Sequence, residues 1–547
     1  MQFRLLSVAA LALCAPSVAE AAKEPSIWVK CDGYAKPEPG GVKLAKGLAA
    51  LSTLGIFGIP ESFHPHNRAQ GGAGVTACKT ALAAPELEAE NWLRRVRLNQ
   101  ALAIHYLEGD NPDGALTALD AAVSAAGDNA SHPMYARSTG VSLDLLRSYV
   151  LLRLGRAEES DGVARRASAA RPYSARVQMM ALGMMALDGK GDDLGSVADR
   201  VHALDPARAD DLAFYYLRDR RYNRAWALLS AARAVKPKEG GQAGLFNARR
   251  TNEAMVAAFV AARVGQRDDA ERIIAEERAA IAATVEMLAK MKLRLADPGA
   301  QATSPDAPAA DAKPQTDSDL LSAPIERWGP LIAAAGKLAA DDHRAAQTAL
   351  IAGTSFPMNV MLTDLVADIR TAVPAAERKG IVAIDPADLR AKLNAAQEDK
   401  IGQIKGKDLF EMLPEPEDEK QLNSYSKQAG WGLKPTGFRH KAQDDGTPHI
   451  EFVGSSSSPL AVEEMTLLRA ADLALQAGKA GFTIEKRNDY SRMRQMTYGG
   501  TPIGQASLAG YMTTVDVRFT DDAGAARFQD AATIRAALAP IYIRPKS

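Results

Sequence analysis

Apolar positions recur every three to four residues along most of the chain and every second residue near its end. From about Trp92 to Arg294 the spacing predicts pairs of helices, each of about a dozen residues, alternating with short turns. From Trp431 onward the period drops to two in several stretches. Ile450 and Phe452 share one face of His449 to Val453. Phe482 and Ile484 share one face of Gly481 to Lys486. In Thr514 to Phe519, Val515, Val517 and Phe519 point inward and Thr514, Asp516 and Arg518 outward. These read as half-buried strands.

Between the first two strands the sequence predicts one strong helix. Ser458 suits its N-cap, Pro459 its first turn, Glu463 and Glu464 the positive end of its dipole, and Gly478 its end. Thr466, Arg469, Asp472 and Gln476 are expected on its polar face; Leu467, Leu468, Ala471, Ala474 and Leu475 on its buried face. The fold class expected is therefore mainly α: an irregular helical-repeat solenoid followed by a small α+β domain with a helix on an antiparallel sheet.

The helix pairs carry a repeat. Pro172 and Pro206 stand 34 residues apart and each closes a helix; Pro237 closes a third. Tyr106, Ala115, Leu119 and Ala122 set a pattern of large and small positions. Leu151, Ser160, Ala167 and Pro172 repeat it with Gly155 in the turn, as do Met185, Leu194 and Pro206 with Gly189. Tyr216, Ala225, Leu229, Ala232 and Pro237 follow, then Ala270 and Ile274 with Gly265. A unit of this length, helix–turn–helix with a closing proline, resembles the tetratricopeptide repeat. The spacing departs from the standard at inserts around Gly127 to Gly140 and Lys238 to Asn247, so the solenoid is expected to be irregular. A sixth, degenerate unit is expected from Arg327 to Pro357, with Ala345 and Ala352 as its small residues. The resemblance implies that the inner face of the first helices contacts an extended peptide or partner helix. Carried over unit by unit, those positions are Arg97, Gln100, Ile104, Tyr149, Met179, Asp210, Phe214, Asn252 and Phe259.

Composition then divides the chain. Residues 1–21 have a short basic start at Arg4, an apolar run from Leu5 to Leu13 and small residues fitting an A-x-A cleavage site, as a secretory signal peptide does. Cys14 offers a lipid-anchored alternative, disfavoured by Leu13 before it. No later stretch reads as membrane-spanning. Residues 22–91 hold Cys31 and Cys78, most simply one disulfide in an oxidising compartment, which would stabilise by roughly 4 kcal/mol on a chain-entropy estimate. Two buried free thiols are the alternative. The stretches Gly55 to Gly58 and Gly71 to Gly74 between them show little helical character. Residues 92–296 are the repeats, 297–324 a flexible linker rich in Pro, Ala and Asp, 325–407 a further helical region, 408–430 a connector and 431–547 the α+β domain. The connector's acidic run from Pro414 to Glu419 reads as solvated.

The segment Glu463-Glu464-Met465-Thr466-Leu467-Leu468-Arg469-Ala470-Ala471-Asp472-Leu473-Ala474-Leu475, with Gly478 and Gly481-Phe482, is similar to a small domain of secreted and lipid-anchored proteins of Gram-negative bacteria. That resemblance implies compartment and fold.

Charge and chemistry narrow the function. With 66 basic and 66 acidic residues the chain lacks the field that nucleic acid requires. The sequence carries no H-E-x-x-H, G-x-S-x-G or Walker A pattern. His64-Pro65-His66 reads as a polar loop more readily than as a metal site. Gly454 to Ser458 could present backbone N–H groups to an anion, though a flexible connection with an N-cap is the simpler reading. Arg487, Tyr490, Arg492, Arg494 and Tyr498 alternate as on a solvated strand face. No cofactor or metal is expected. The function expected is an exported periplasmic scaffold that holds a protein or peptide partner in the repeat groove. The alternatives are an envelope hydrolase with its site in the C-terminal domain and a lipid-anchored structural protein.

Overall fold

The computed structural model describes residues 24–34, 67–188, 194–234, 248–295, 317–353, 356–357, 359–415, 417, 422–428, 436–498 and 501–543. Residues 1–21, Gly55 to Gly58, His64 to His66, Gly189 and Pro237 lie outside the described residues. The chain divides into two compact units, 1–127 and 128–547.

The first unit contains helices α1 (Ile27–Asp32), α2 (Gly71–Leu82), α3 (Trp92–Glu108) and α4 (Pro112–Ala126). Cys31 on α1 and Cys78 on α2 are bridged, both fully buried. The glycines that argued against helix here open α2 instead. Tertiary contact outweighs propensity. A Cβ on Gly74 would stand 2.4 Å from the His105 ring, so only glycine lets α2 approach α3 this closely. His105 is itself tied to the Cys31 carbonyl oxygen and to Glu108, both at 2.7 Å, and Glu108 accepts from the Gly71 amide.

The second unit is a run of paired helices: α5 (Val141–Arg153), α6 (Ala157–Ala170), α7 (Ala175–Asp188), α8 (Leu194–Leu204), α9 (Ala209–Arg218), α10 (Tyr222–Ala234), α11 (Ala248–Arg263) and α12 (Arg267–Leu295). Of the small and apolar residues expected at helix contacts, Ser160, Ala167, Met185, Leu194, Ala225, Leu229 and Ala270 are buried, whereas Ala232 and Ile274 are half-buried. Helices α13 (Asp317–Ala339) and α14 (His343–Ile351) form a further pair, with α13 packed on α11. Helix α13 begins seven residues before the expected end of the linker at residue 324, and it contains Pro324 and Pro330. In α14 the buried small residue is Ala346; Ala345 is half-buried and Ala352 exposed, so the contact face is turned by one position. Then come α15 (Val360–Ala372), α16 (Pro386–Gly402) and α17 (Gly406–Met412).

The chain closes on an antiparallel sheet in the order β1-β2-β4-β3-β5: β1 (Gly437–Ala442), β2 (Pro448–Gly454), β3 (Gly481–Tyr498), β4 (Thr501–Thr520) and β5 (Gln529–Asp530). Helices α18 (Pro459–Gln476) and α19 (Ala531–Tyr542) pack with it. Mainly helical architecture with a small α+β domain is thus what the chain adopts. Ser458 caps α18 by accepting from the Ala461 amide at 3.1 Å, Pro459 occupies the first turn, and Gly478 follows at φ +68°, each as its residue type predicts. Strands β3 and β4 run far longer than the alternating segments that announced them.

Candidate functional site

Two features of the second unit organise its polar chemistry. One lies along the helix pairs, the other inside the seam between them and the sheet domain.

Residues from Asn359 to Glu417 return along the array. Helix α15 packs against α9, and α16 packs against α5. Arg220, in the turn between α9 and α10, and Tyr222, which opens α10, meet two carboxylates one helical turn apart on α15. The Tyr222 hydroxyl donates to Asp364 at 2.8 Å, and Arg220 and Arg263 both donate to Asp368. Arg390 on α16 reaches Asp364 at 3.6 Å. Burial pushes the Asp364 carboxyl up despite Tyr222, Arg220 and Arg390, which favour its ionised form. Farther on, Arg176 of α7 donates to the carbonyl oxygens of Glu411 and Met412. The side of the array that carries these first helices and turns therefore holds a stretch of the protein's own polypeptide, through side-chain pairs and backbone carbonyls.

The positions expected to face a partner separate into classes. Ile104, Tyr149 and Phe259 are core residues with 1 % exposure or less. Phe259 packs between Tyr222 and Trp328, with ring centroids 6.5 and 6.3 Å away. Large residues on first helices pack against the next element here rather than lining an open groove. Phe214, on α9, is exposed, and its ring meets Tyr215 edge-on at 5.8 Å. Asn252 is exposed and accepts from the Trp328 indole at 3.4 Å. Met179 and Gln100 are half-buried, as is Arg97, whose guanidinium sits 3.9 Å from the centre of the Tyr34 ring in the first unit. The side chain of Asp210 lies outside the described residues.

The seam is built around α18. Apolar residues cover every side of its first three turns: Leu460, Ala461, Val462, Met465, Leu467 and Leu468 are all buried, and so is Thr466, which was expected on a polar face. A helix buried all round cannot keep Glu463 and Glu464 in water. Glu464, with no exposure, accepts two bonds from Arg137 at 2.6 and 2.7 Å, one from Arg171 at 3.0 Å and one from the Tyr542 hydroxyl. Arg137 sits in the π-helical turn Ala136–Gly140 that leads into α5, and Arg171 follows the end of α6. Arg171 also donates to the Arg137 carbonyl at 3.0 Å and to Glu417 at 2.9 Å. Glu417 belongs to the acidic run that composition assigns to a solvated connector; it is buried, and Ser458 donates to it.

The neighbouring carboxylate has its own set. Glu463 pairs with Arg487 at 2.8 Å, accepts from the Ser174 hydroxyl at 2.9 Å and from the Ala175 amide. Arg487, expected on a solvated strand face, is buried; it also donates to Asp489 at 2.9 Å and to the Leu204 carbonyl at 3.3 Å. The two adjacent glutamates titrate in opposite senses. Burial raises both, but Arg171 and Arg137 outweigh it at Glu464, which is held below the ordinary glutamate value. At Glu463 burial wins, reinforced by Asp489, and the carboxyl is raised. The hydrophobic core continues across the same boundary: Ala175 and Leu204 of the array belong to one cluster with Phe452, Leu468, Phe482 and Leu538. The sheet domain and the helices around residues 137–204 therefore share one interior.

The serine loop before α18 is closed to an anion. The Asn423 carboxamide oxygen already accepts from the amides of Ser456 and Ser457, both at 3.1 Å, and from the Ser457 hydroxyl at 3.0 Å. Among the described residues no group of three potential ligands is placed to hold a metal ion, and no helix is long and apolar enough to cross a membrane. Compared with known proteins, the chain matches no family model and no curated protein.

Proposed function

We propose that this chain is an exported helical-repeat scaffold, tetratricopeptide-like in its helix pairs, that mediates protein–protein interaction in the cell envelope. One observation carries the reading. The array's first-helix side already holds polypeptide in cis, with Arg220, Arg263 and Tyr222 on carboxylates and Arg176 on backbone carbonyls. Arginine forks match carboxylates with directional bonds, and a stacked helix array offers them along an extended surface that could hold a peptide in trans. The Cys31–Cys78 bridge supports an oxidising compartment, and the basic start, apolar run and A-x-A sites within residues 1–21 support export to the periplasm.

The test is site-specific photo-crosslinking in intact cells. A photoreactive residue at Phe214 or Met179 should give a discrete adduct with an envelope protein. The same residue at Glu158, exposed on a second helix, should not. Absence of adducts at both first-helix positions, or the same species from Glu158, would remove the scaffold reading.

A further inference from the structure

The sheet is five-stranded only near its base. Strand β2 pairs with β4 over Tyr511 to Asp516, and β5 pairs with β3 only at Gly481 and Phe482. Beyond the Ser491–Tyr511 pair, β3 and β4 continue as a two-stranded ribbon. A register shift between Arg492 and Met493 leaves Ala509 unpaired and sets Met493 directly opposite Leu508. Opposed residues share a face, so this pair forms one apolar patch, 59 % and 53 % exposed. At the ribbon's root, in the pair just before Ser491–Tyr511, Tyr490 lies three positions before Met493 and so on the other face; it is 46 % exposed. The ribbon and its root thus show apolar surface on both faces at once. Its charge is one-sided too: from Tyr490 to Val515 the sequence has no Asp or Glu, while Arg492 and Arg494 supply cations.

We propose that this ribbon docks on a lipid surface rich in anionic headgroups. A protein partner lying on one face would leave the other apolar face in water; a bilayer interface wets both. Arginine beside Met, Leu and Tyr suits that depth, with the guanidinium at the headgroups and the apolar groups just below. Among the described residues no strand pairs with the outer edges of the ribbon, and an open strand edge cannot satisfy its N–H and C=O groups in the hydrocarbon core. Attachment is therefore interfacial and reversible. It does not depend on the scaffold reading, since no array residue takes part.

Flotation of the purified full-length chain with vesicles tests it. Vesicles of phosphatidylcholine with roughly a third phosphatidylglycerol should carry the protein up the gradient, and pure phosphatidylcholine should not. The double change Met493→Asp/Leu508→Asp should lower the bound fraction about tenfold, and Arg492→Glu by a similar factor. Both aspartates would stand at exposed positions, and an unchanged thermal midpoint would show that the fold survives. Met493→Trp supplies a second readout, an emission shift to shorter wavelength when anionic vesicles are added. No flotation of the unaltered chain, flotation equal on neutral vesicles, undiminished flotation of the double variant, or an unmoved tryptophan spectrum would each overturn the proposal.

Discussion

Arg171 and Glu464 lie 3.0 Å apart with neither side chain exposed, joining the end of the second repeat's helix pair to the second turn of the sheet domain's central helix across 293 residues of sequence. Their pairing is one contact in a network that Arg137, Glu417, Tyr542 and Ser458 complete. Buried pairs of this kind add little to stability against a hydrophobic substitute, but breaking one strands a charge. Their effect here is to fix how the sheet domain seats on α6 and α7.

The first prediction concerns that seat. Arg171→Met removes one cation and leaves Glu464 with Arg137 and the Tyr542 hydroxyl, and Glu417 with Ser458. It should destabilise the second unit by about 3–5 kcal/mol. Chemical denaturation of Arg171→Met, Glu464→Gln and the double variant should show strong coupling, with the double costing clearly less than the sum. Additive losses would mean that the two groups do not sense each other.

The adjacent glutamates should respond oppositely to pH. Glu464 is held below the ordinary value of 4.5. Its contribution is complete above that value and is lost as pH falls through its folded pKa. Glu463 is held above 4.5. The folded chain then binds its proton more tightly than the unfolded chain, so its contribution is present below 4.5 and is lost as pH rises through the folded value. At neutral pH Glu463→Gln should therefore be neutral or stabilising, whereas Glu464→Gln should be destabilising, with a penalty that shrinks as the buffer is acidified below 4.5. Urea midpoints of both variants at neutral and acid pH decide this; equal responses would contradict the two environments.

How much of this was legible in the sequence depends on whether an element packs on one side or on all. Period and caps located most helices, the two-residue alternation found β2, the start of β3 and the end of β4, and Cys31 with Cys78 announced the bridge. The seam was hidden because α18 was read as having a solvated face. The clue lay in its composition, since the apolar residues Leu460, Ala461, Val462, Met465, Leu467 and Leu468 fall on every side of the helix and leave no polar stripe for Glu463 and Glu464. Glu417 and Arg487 were illegible for a different reason. Each is one charge in a polar run, and only the fold brings Arg171 and Glu463 to meet them. Nor could spacing show that Asn359 to Glu417 would lie back along the array. That depends on Asp364 and Asp368 matching Tyr222, Arg220 and Arg263.

In the first unit, Gly72 and Gly74 stand on the same helix and should behave differently. A Cβ at Gly72 meets nothing within 4 Å, so Gly72→Ala should stabilise by up to about 1 kcal/mol through helix propensity. At Gly74 the Cβ would fall 2.4 Å from the His105 ring, whose two nitrogens are held by Cys31 and Glu108. Gly74→Ala should cost about 1–3 kcal/mol as an overpacked site. Thermal unfolding of the two variants, with the disulfide intact, compares them directly. A milder effect at Gly74 would mean that His105 can move aside.

The last prediction separates packing from recognition among the three aromatics that the repeat resemblance assigns to a groove. Tyr149 and Phe259 are 1 % and 0 % exposed, whereas Phe214 is 38 % exposed. Truncating Phe259 empties a space between the Tyr222 and Trp328 rings, and Tyr149 is likewise enclosed; each change to alanine should cost about 3–5 kcal/mol. Phe214→Ala removes a ring that is already partly in water and should shift stability by less than about 1 kcal/mol. If the array captures a partner on its first-helix side, Phe214→Ala should still lower the yield of the Met179 crosslink at unchanged thermal midpoint. Tyr149→Ala and Phe259→Ala should lower that yield only in proportion to the folded fraction they lose. The reverse result, with Phe214→Ala binding normally and a fully folded Tyr149→Ala failing to bind, would require the buried tyrosine to become exposed on recognition and would place the contact surface elsewhere.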